Sequence, residues 1–102
     1  MATDLRDVST YPHFKTIIVT TDAEEIQLPS QCSQFTAGSS SSAIFIAQNG
    51  ASDGAAMPAD KQPVPAGNAM SLVIGRGESR AQSMFVSSQA GSASVVIVLE
   101  EL

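Results

Sequence analysis

Apolar residues in this chain come in short β-branched runs separated by Gly, Ser, Asn and Pro breaks. The first run, Phe-Lys-Thr-Ile-Ile-Val-Thr-Thr over residues 14–21, predicts a strand, because β-branched and aromatic side chains fit a pleated, half-buried surface. The spacing of Asp22 and Glu25 matches a helix capping box, but Pro29 follows four residues later. A turn leading into a strand over 25–28 is the better reading. Residues 34–37 predict a weaker strand, and Ala-Ile-Phe-Ile-Ala-Gln over 43–48 a clear one. Turn dipeptides follow at Asn49-Gly50 and Asp53-Gly54. The Ala- and Pro-rich stretch 55–67 then suits a loop or a sheet edge, where missing N–H donors do no damage. Strands are predicted again over 69–75 and 83–88, and a Gly-Ser turn feeds a last one from Val95 onward. This pattern of short strands with frequent turn signals and no sustained helical period predicts an all-β chain. The architecture expected is an antiparallel β-sandwich of jelly-roll type.

Two of these strands are apolar on both sides. Val95, Ile97 and Leu99 form one face of the last strand, and Val96 and Val98 the other. Ile44 and Ile46 oppose Ala43, Phe45 and Ala47 in the same way. A strand of a free two-sheet sandwich should alternate between core and water. Both strands are therefore expected to be buried on both faces, with either the protein's own loops or a second subunit as cover. A chain this short favours the subunit. Glu100 and Glu101 close the apolar run and read as gatekeepers against aggregation.

The first 13 residues differ in character. Asp4, Arg6 and Asp7 lie among isolated Leu5 and Val8, and Tyr11-Pro12 ends the segment in extended backbone. Residues 1–13 are expected to form an extended N-terminal arm that orders against a neighbour, and residues 14–102 a single sandwich domain.

At 102 residues the chain is one domain with a lean interior, since 14 of its apolar residues are alanine and it has no Trp. Oligomerisation is one remedy for a thin core. The net charge is −5, and the five basic residues Arg6, Lys15, Lys61, Arg76 and Arg80 are scattered. That distribution cannot make the dense patch that phosphate-backbone binding demands, so nucleic acid is not an expected partner. The longest apolar run is far short of a membrane span and the N-terminus does not read as a signal peptide, so a soluble chain made in a cytoplasm is expected.

Candidate chemistry is sparse. Cys32 is the only cysteine and His13 the only histidine, which rules out a zinc set and leaves the serines without an obvious base. Glu24 and Glu25 are adjacent, so a strand points them to opposite faces. Asn49, Asp53 and Asp60 lack the ligand spacing of a calcium loop. Gly38-Ser39-Ser40-Ser41-Ser42 lacks the Gly-Lys-Ser/Thr ending of a phosphate loop, and Gly75-Arg76-Gly77-Glu78 reads as a turn with a solvated ion pair. No catalytic residue, cofactor or metal is expected, and the chain does not read as an enzyme.

The order of features has a counterpart elsewhere. A polar arm leads into strand 14–21, followed by a carboxylate-bearing turn before Ile26-Gln27-Leu28-Pro29. A Gly-rich hairpin comes after 43–48, and a Pro-Ala-Gly lead precedes Met70. A Ser-rich strand and the closing Ala-Gly-Ser-Ala-Ser-Val-Val-Ile-Val-Leu complete the series. In layout and composition residues 14–102 resemble the small β-sandwich cement or decoration proteins of tailed bacteriophages. The resemblance implies a virion structural protein on the outer capsid surface, stapling junctions between major capsid protein subunits as a homotrimer or, second, a homodimer. The resemblance carries over no specific site. Because extended arms and edge-strand pairing supply many backbone hydrogen bonds at once, residues 1–14 and the last strand, 95–102, are the expected contact elements. The expected interface residues are Leu5, Val8, Tyr11, Phe14, Val96, Val98 and Leu102. The alternatives are a phage tail, neck or fibre-associated component and a non-viral β-sandwich module that binds a carbohydrate or other ligand.

Overall fold

A computed structural model describes residues 2–48, 60–73 and 83–101. These contain nine strands and no helix. In chain order they are β1 (Ala2–Asp4), β2 (His13–Val19), β3 (Glu24–Gln27), β4 (Gln34–Ser39), β5 (Ile44–Gln48), β6 (Gln62–Val64), β7 (Asn68–Val73), β8 (Ser83–Ser88) and β9 (Ala93–Glu100).

Strand pairing follows one rule. β2 pairs with β9, β3 with β8, β4 with β7 and β5 with β6, all antiparallel. This is a single long ribbon closed between β5 and β6 and then rolled, so that successive pairs fall in opposite sheets. Two further ladders, β4 with β9 and β5 with β8, zip neighbouring pairs together. One sheet therefore runs β2-β9-β4-β7 and the other β1-β3-β8-β5-β6. Without β1, that is the strand order of a jelly roll. The expected all-β, jelly-roll-like sandwich is present.

The core lies between the sheets. β9 contributes Val95, Ile97 and Leu99, β4 Phe35 and Ala37, β5 Ile44 and Ile46, β8 Met84 and Val86, and β3 Ile26. Each set occupies alternate positions, as the period of two in a strand requires. Residues 34–37 belong to a strand that is longer and more central than its sequence suggested: β4 reaches Ser39 and is flanked by β9 and β7. Gly38 allows that position, since a Cβ there would stand 2.5 Å from the Asn68 carbonyl oxygen and 2.8 Å from the Ala69 side chain. Gly67 and Gly91 serve a different need, with φ of 82° and 66° in the turns before β7 and β9.

The double-sided burial expected of the last strand is not found. Along β9 buried and more exposed positions alternate, and Val96 is 45% exposed. The second face of β5 is covered within the chain, because Ala47 packs with Ala23 and Phe85 in a small cluster outside the sheet, and Lys61 lies 5.0 Å over the Phe45 ring. The strand buried along its whole length is the Ser-rich β8. The turn dipeptides at 49–50 and 53–54, residues 74–75 of the strand predicted over 69–75, and Gly75–Glu78 lie outside the described residues.

Residues 2–5 run along β3 of their own sheet, and the chain then turns at residues 6–7, where the Val8 amide donates to the Leu5 carbonyl at 3.2 Å. β1 pairs parallel to β3, with Ala2 opposite Glu25 and Asp4 opposite Gln27. The Leu5 amide continues the pairing by donating to the Gln27 carbonyl at 2.9 Å. Leu5 is 6% exposed, and Val8 and Tyr11 pack against the same core.

Candidate interaction surface

Directly opposed residues of a ladder share a face, so the registers map the outside of the β2-β9-β4-β7 sheet. One row crosses the sheet as Phe14, Val98, Thr36 and Ser71. The next runs Thr16, Val96, Gly38 and Ala69. Glu100, Gln34 and Val73 border the first row, and Ile18 and Ser94 border the second. Glu100 is the single ionisable side chain among these positions. Phe14 is 66% exposed, Ile18 74% and Val73 75%, and with Val96 they are the exposed large apolar side chains among the described residues. All four stand on this one face.

The chain forms such a face for local reasons. β2 and β9 carry apolar side chains on both sides, so with Val95, Ile97 and Leu99 taken into the core, Phe14, Ile18, Val96 and Val98 are left on the other face. β4 and β7 contribute hydroxyls instead, and Thr36 and Ser71 satisfy one another at 2.7 Å. Between β4 and β7 the face dips into a hollow of about 290 Å³, bordered by Thr36, Gly38, Asn68, Ala69 and Val96 and by Gly67 of the turn before β7. At Gly38 the β7 backbone comes so close that no side chain fits between the two strands.

The structure divides the residues singled out from sequence. Phe14 and Val98 are ladder partners, and Val96 lies one position along the same face. Leu5, Val8 and Tyr11 turn inward instead and pack on the core of their own molecule. Leu102 lies outside the described residues. Ile18 and Val73 were missed. Ile18 stands beside Ile17 in an unbroken apolar run, and only the register tells which of the two faces out.

Charged groups gather elsewhere. At the N-terminus the Arg6 guanidinium grips Asp4 with two bonds of 2.9 Å, and the Arg6 amide donates to the same carboxylate at 3.0 Å. These hydrogen bonds hold the Asp4 carboxyl down at about 2. Burial first, with the nearby Cys32 and Glu101 adding to it, pushes the Tyr11 hydroxyl up from its ordinary value. Glu24 and Glu25 do point apart: Thr3 donates to Glu24 at 2.7 Å, and Ser83 to Glu25 at 3.0 Å. Cys32 is wholly buried, its thiol donating to the Gln34 carbonyl at 3.4 Å. Among the described residues no group of three His, Cys, Asp or Glu side chains could hold a metal ion. No helix among them is long and apolar enough to cross a membrane.

Compared with known proteins, the chain matches no family model, no curated protein and no solved structure.

Proposed function

We propose that this chain is a non-enzymatic assembly protein that joins protein surfaces through the outer face of its β2-β9-β4-β7 sheet. The observation that carries the reading is the composition of that face: exposed Phe14, Ile18, Val96 and Val73, hydroxyls and small residues between them, and one carboxylate at the border. Contiguous apolar surface rimmed by polar groups is the usual mark of a protein-binding site. A jelly roll hosts many unrelated functions, so the fold alone does not choose among them. The layout of residues 14–102, resembling phage cement proteins, supports a capsid exterior as the place of action and the major capsid protein as the partner.

Virions of the genome that encodes this chain provide the test. Particles banded on a density gradient should carry the chain in fixed stoichiometry, and reconstruction should place it over capsid-subunit junctions. Density confined to the tail or neck would move the protein there. Particles without the chain would remove the virion role altogether, while attachment unchanged by Val96→Asp would remove the face.

A further inference from the structure

We propose that the outer face of the β2-β9-β4-β7 sheet is closed by a second copy of this chain, in a two-fold dimer where Phe14 of each copy enters the hollow over Gly38 of the other. This rests on the docking face proposed above and gives it to a second copy, so that a capsid protein would meet the dimer through its other surfaces.

The register carries the geometry. Ile18, Val96, Thr36 and Val73 fall on one diagonal of the face, one on each strand in the order β2, β9, β4, β7. With strands about 4.8 Å apart and same-face residues about 6.8 Å apart, Phe14 lies roughly 8 Å to one side of that diagonal. The hollow between Gly38 and Ala69 lies about 6–7 Å to the other side by the same spacings. A two-fold axis along the diagonal therefore exchanges knob and hole. Ile18 and Val73 then meet their own counterparts near the axis, which is the self-complementarity an isologous interface requires. The operation also sets Glu100 nearest Ser71 of the second copy, whose hydroxyl can donate to it.

Charge permits the same occupant at this face. Each copy carries −5. Two such molecules repel through most orientations, and this face is a place where they can touch with almost no charge between them. Four strands about 20 Å across with their side chains, and a length of about 27 Å along β9, give a face of roughly 540 Å². That is the low end of specific interfaces, where a standard one uses about 800 Å² per partner.

Sedimentation of the full chain tests the proposal, with circular dichroism and thermal unfolding run on every variant. Wild type should be a dimer at micromolar concentration. Val96→Asp should remain folded, because Val96 is outside the core, and should sediment as a monomer. Phe14→Ala should raise the dimer dissociation constant at least tenfold. Ile18→Cys should form a disulfide with its own counterpart under mild oxidation, whereas Lys61→Cys on the other sheet should not. A monomeric wild type overturns the dimer. So does a dimer that Val96→Asp leaves intact, which would place the contact on another surface. If wild type is monomeric and Val96→Asp still abolishes attachment to virions, the face remains a docking surface and the second copy is the wrong occupant.

Discussion

Gly38 is where a single atom has the largest consequence. Its α-carbon faces the β7 backbone so closely that a Cβ would meet the Asn68 carbonyl at 2.5 Å and Ala69 Cα at 2.9 Å, and neither is the end of a flexible side chain. Gly38→Ala must push β4 and β7 apart or distort both, at a cost of about 1–3 kcal/mol. For a domain this size, each kcal/mol should lower the melting temperature by roughly 4–8 °C, and an unchanged melting temperature would mean that β7 yields freely. Asp4 gives a residue-scale test of the N-terminal turn. The Arg6 hydrogen bonds hold its carboxyl near 2, below an ordinary 3.8. An acid depressed in the folded state adds stability above its unfolded value and loses it as pH falls through the folded one. The window is therefore acidic, between about 4 and 2, and the effect on global stability is small because the pair is exposed. Arg6→Ala should return the Asp4 titration midpoint, followed by NMR, toward 3.8; a midpoint that stays low would mean that another group holds the carboxylate.

The strands differ in how much of their environment could be read from sequence. β2, β5, β8 and β9 are marked by their own apolar runs, and the preference for a strand over a helical turn before Pro29 agrees with β3. Face assignment was harder, because it depends on what lies above each sheet. Val95 to Leu99, the most apolar run, keeps one open face, while Ser83, Ser87 and Ser88 of β8 are buried. Small side chains let chain pack over a strand, so serine here signals close cover rather than solvent. Ser87 Oγ is buried and finds no hydrogen-bond partner among the described residues. Ser87→Ala should then be neutral or stabilising by up to about 1 kcal/mol, since it removes an unsatisfied hydroxyl. A loss of more than that in chemical denaturation would reveal a bond the hydroxyl does make. β1 lacked any apolar period, and its one anchor, Leu5, was an isolated residue in a polar segment. Leu5→Ala should cost about 2–4 kcal/mol and shift the denaturation midpoint with little change in slope. A neutral result would leave residues 2–5 available to a neighbour, as the arm reading expects.

At the scale of the whole molecule, the separation of charge from apolar surface sets how association should respond to salt. Among the described residues the ionisable groups lie on other surfaces and at the border of the β2-β9-β4-β7 face, so two copies meeting there bring two like net charges together without pairing any of those groups. Added salt shortens the screening length from about 10 Å at 0.1 M to about 3 Å at 1 M and weakens that repulsion. The apolar contact is not screened, and sulfate strengthens it further by exclusion from the surface. The dimer dissociation constant should therefore fall as sodium chloride rises, and fall more steeply in sodium sulfate at equal ionic strength, as measured by sedimentation equilibrium. An interface held by ion pairs behaves in the opposite sense. A dimer that loosens with salt would place the contact on the charged surfaces, such as those around Asp4, Arg6 and Lys61, and leave Phe14 and Val96 free for a different protein. Salt response thus distinguishes the two surfaces without a substitution that could perturb the fold.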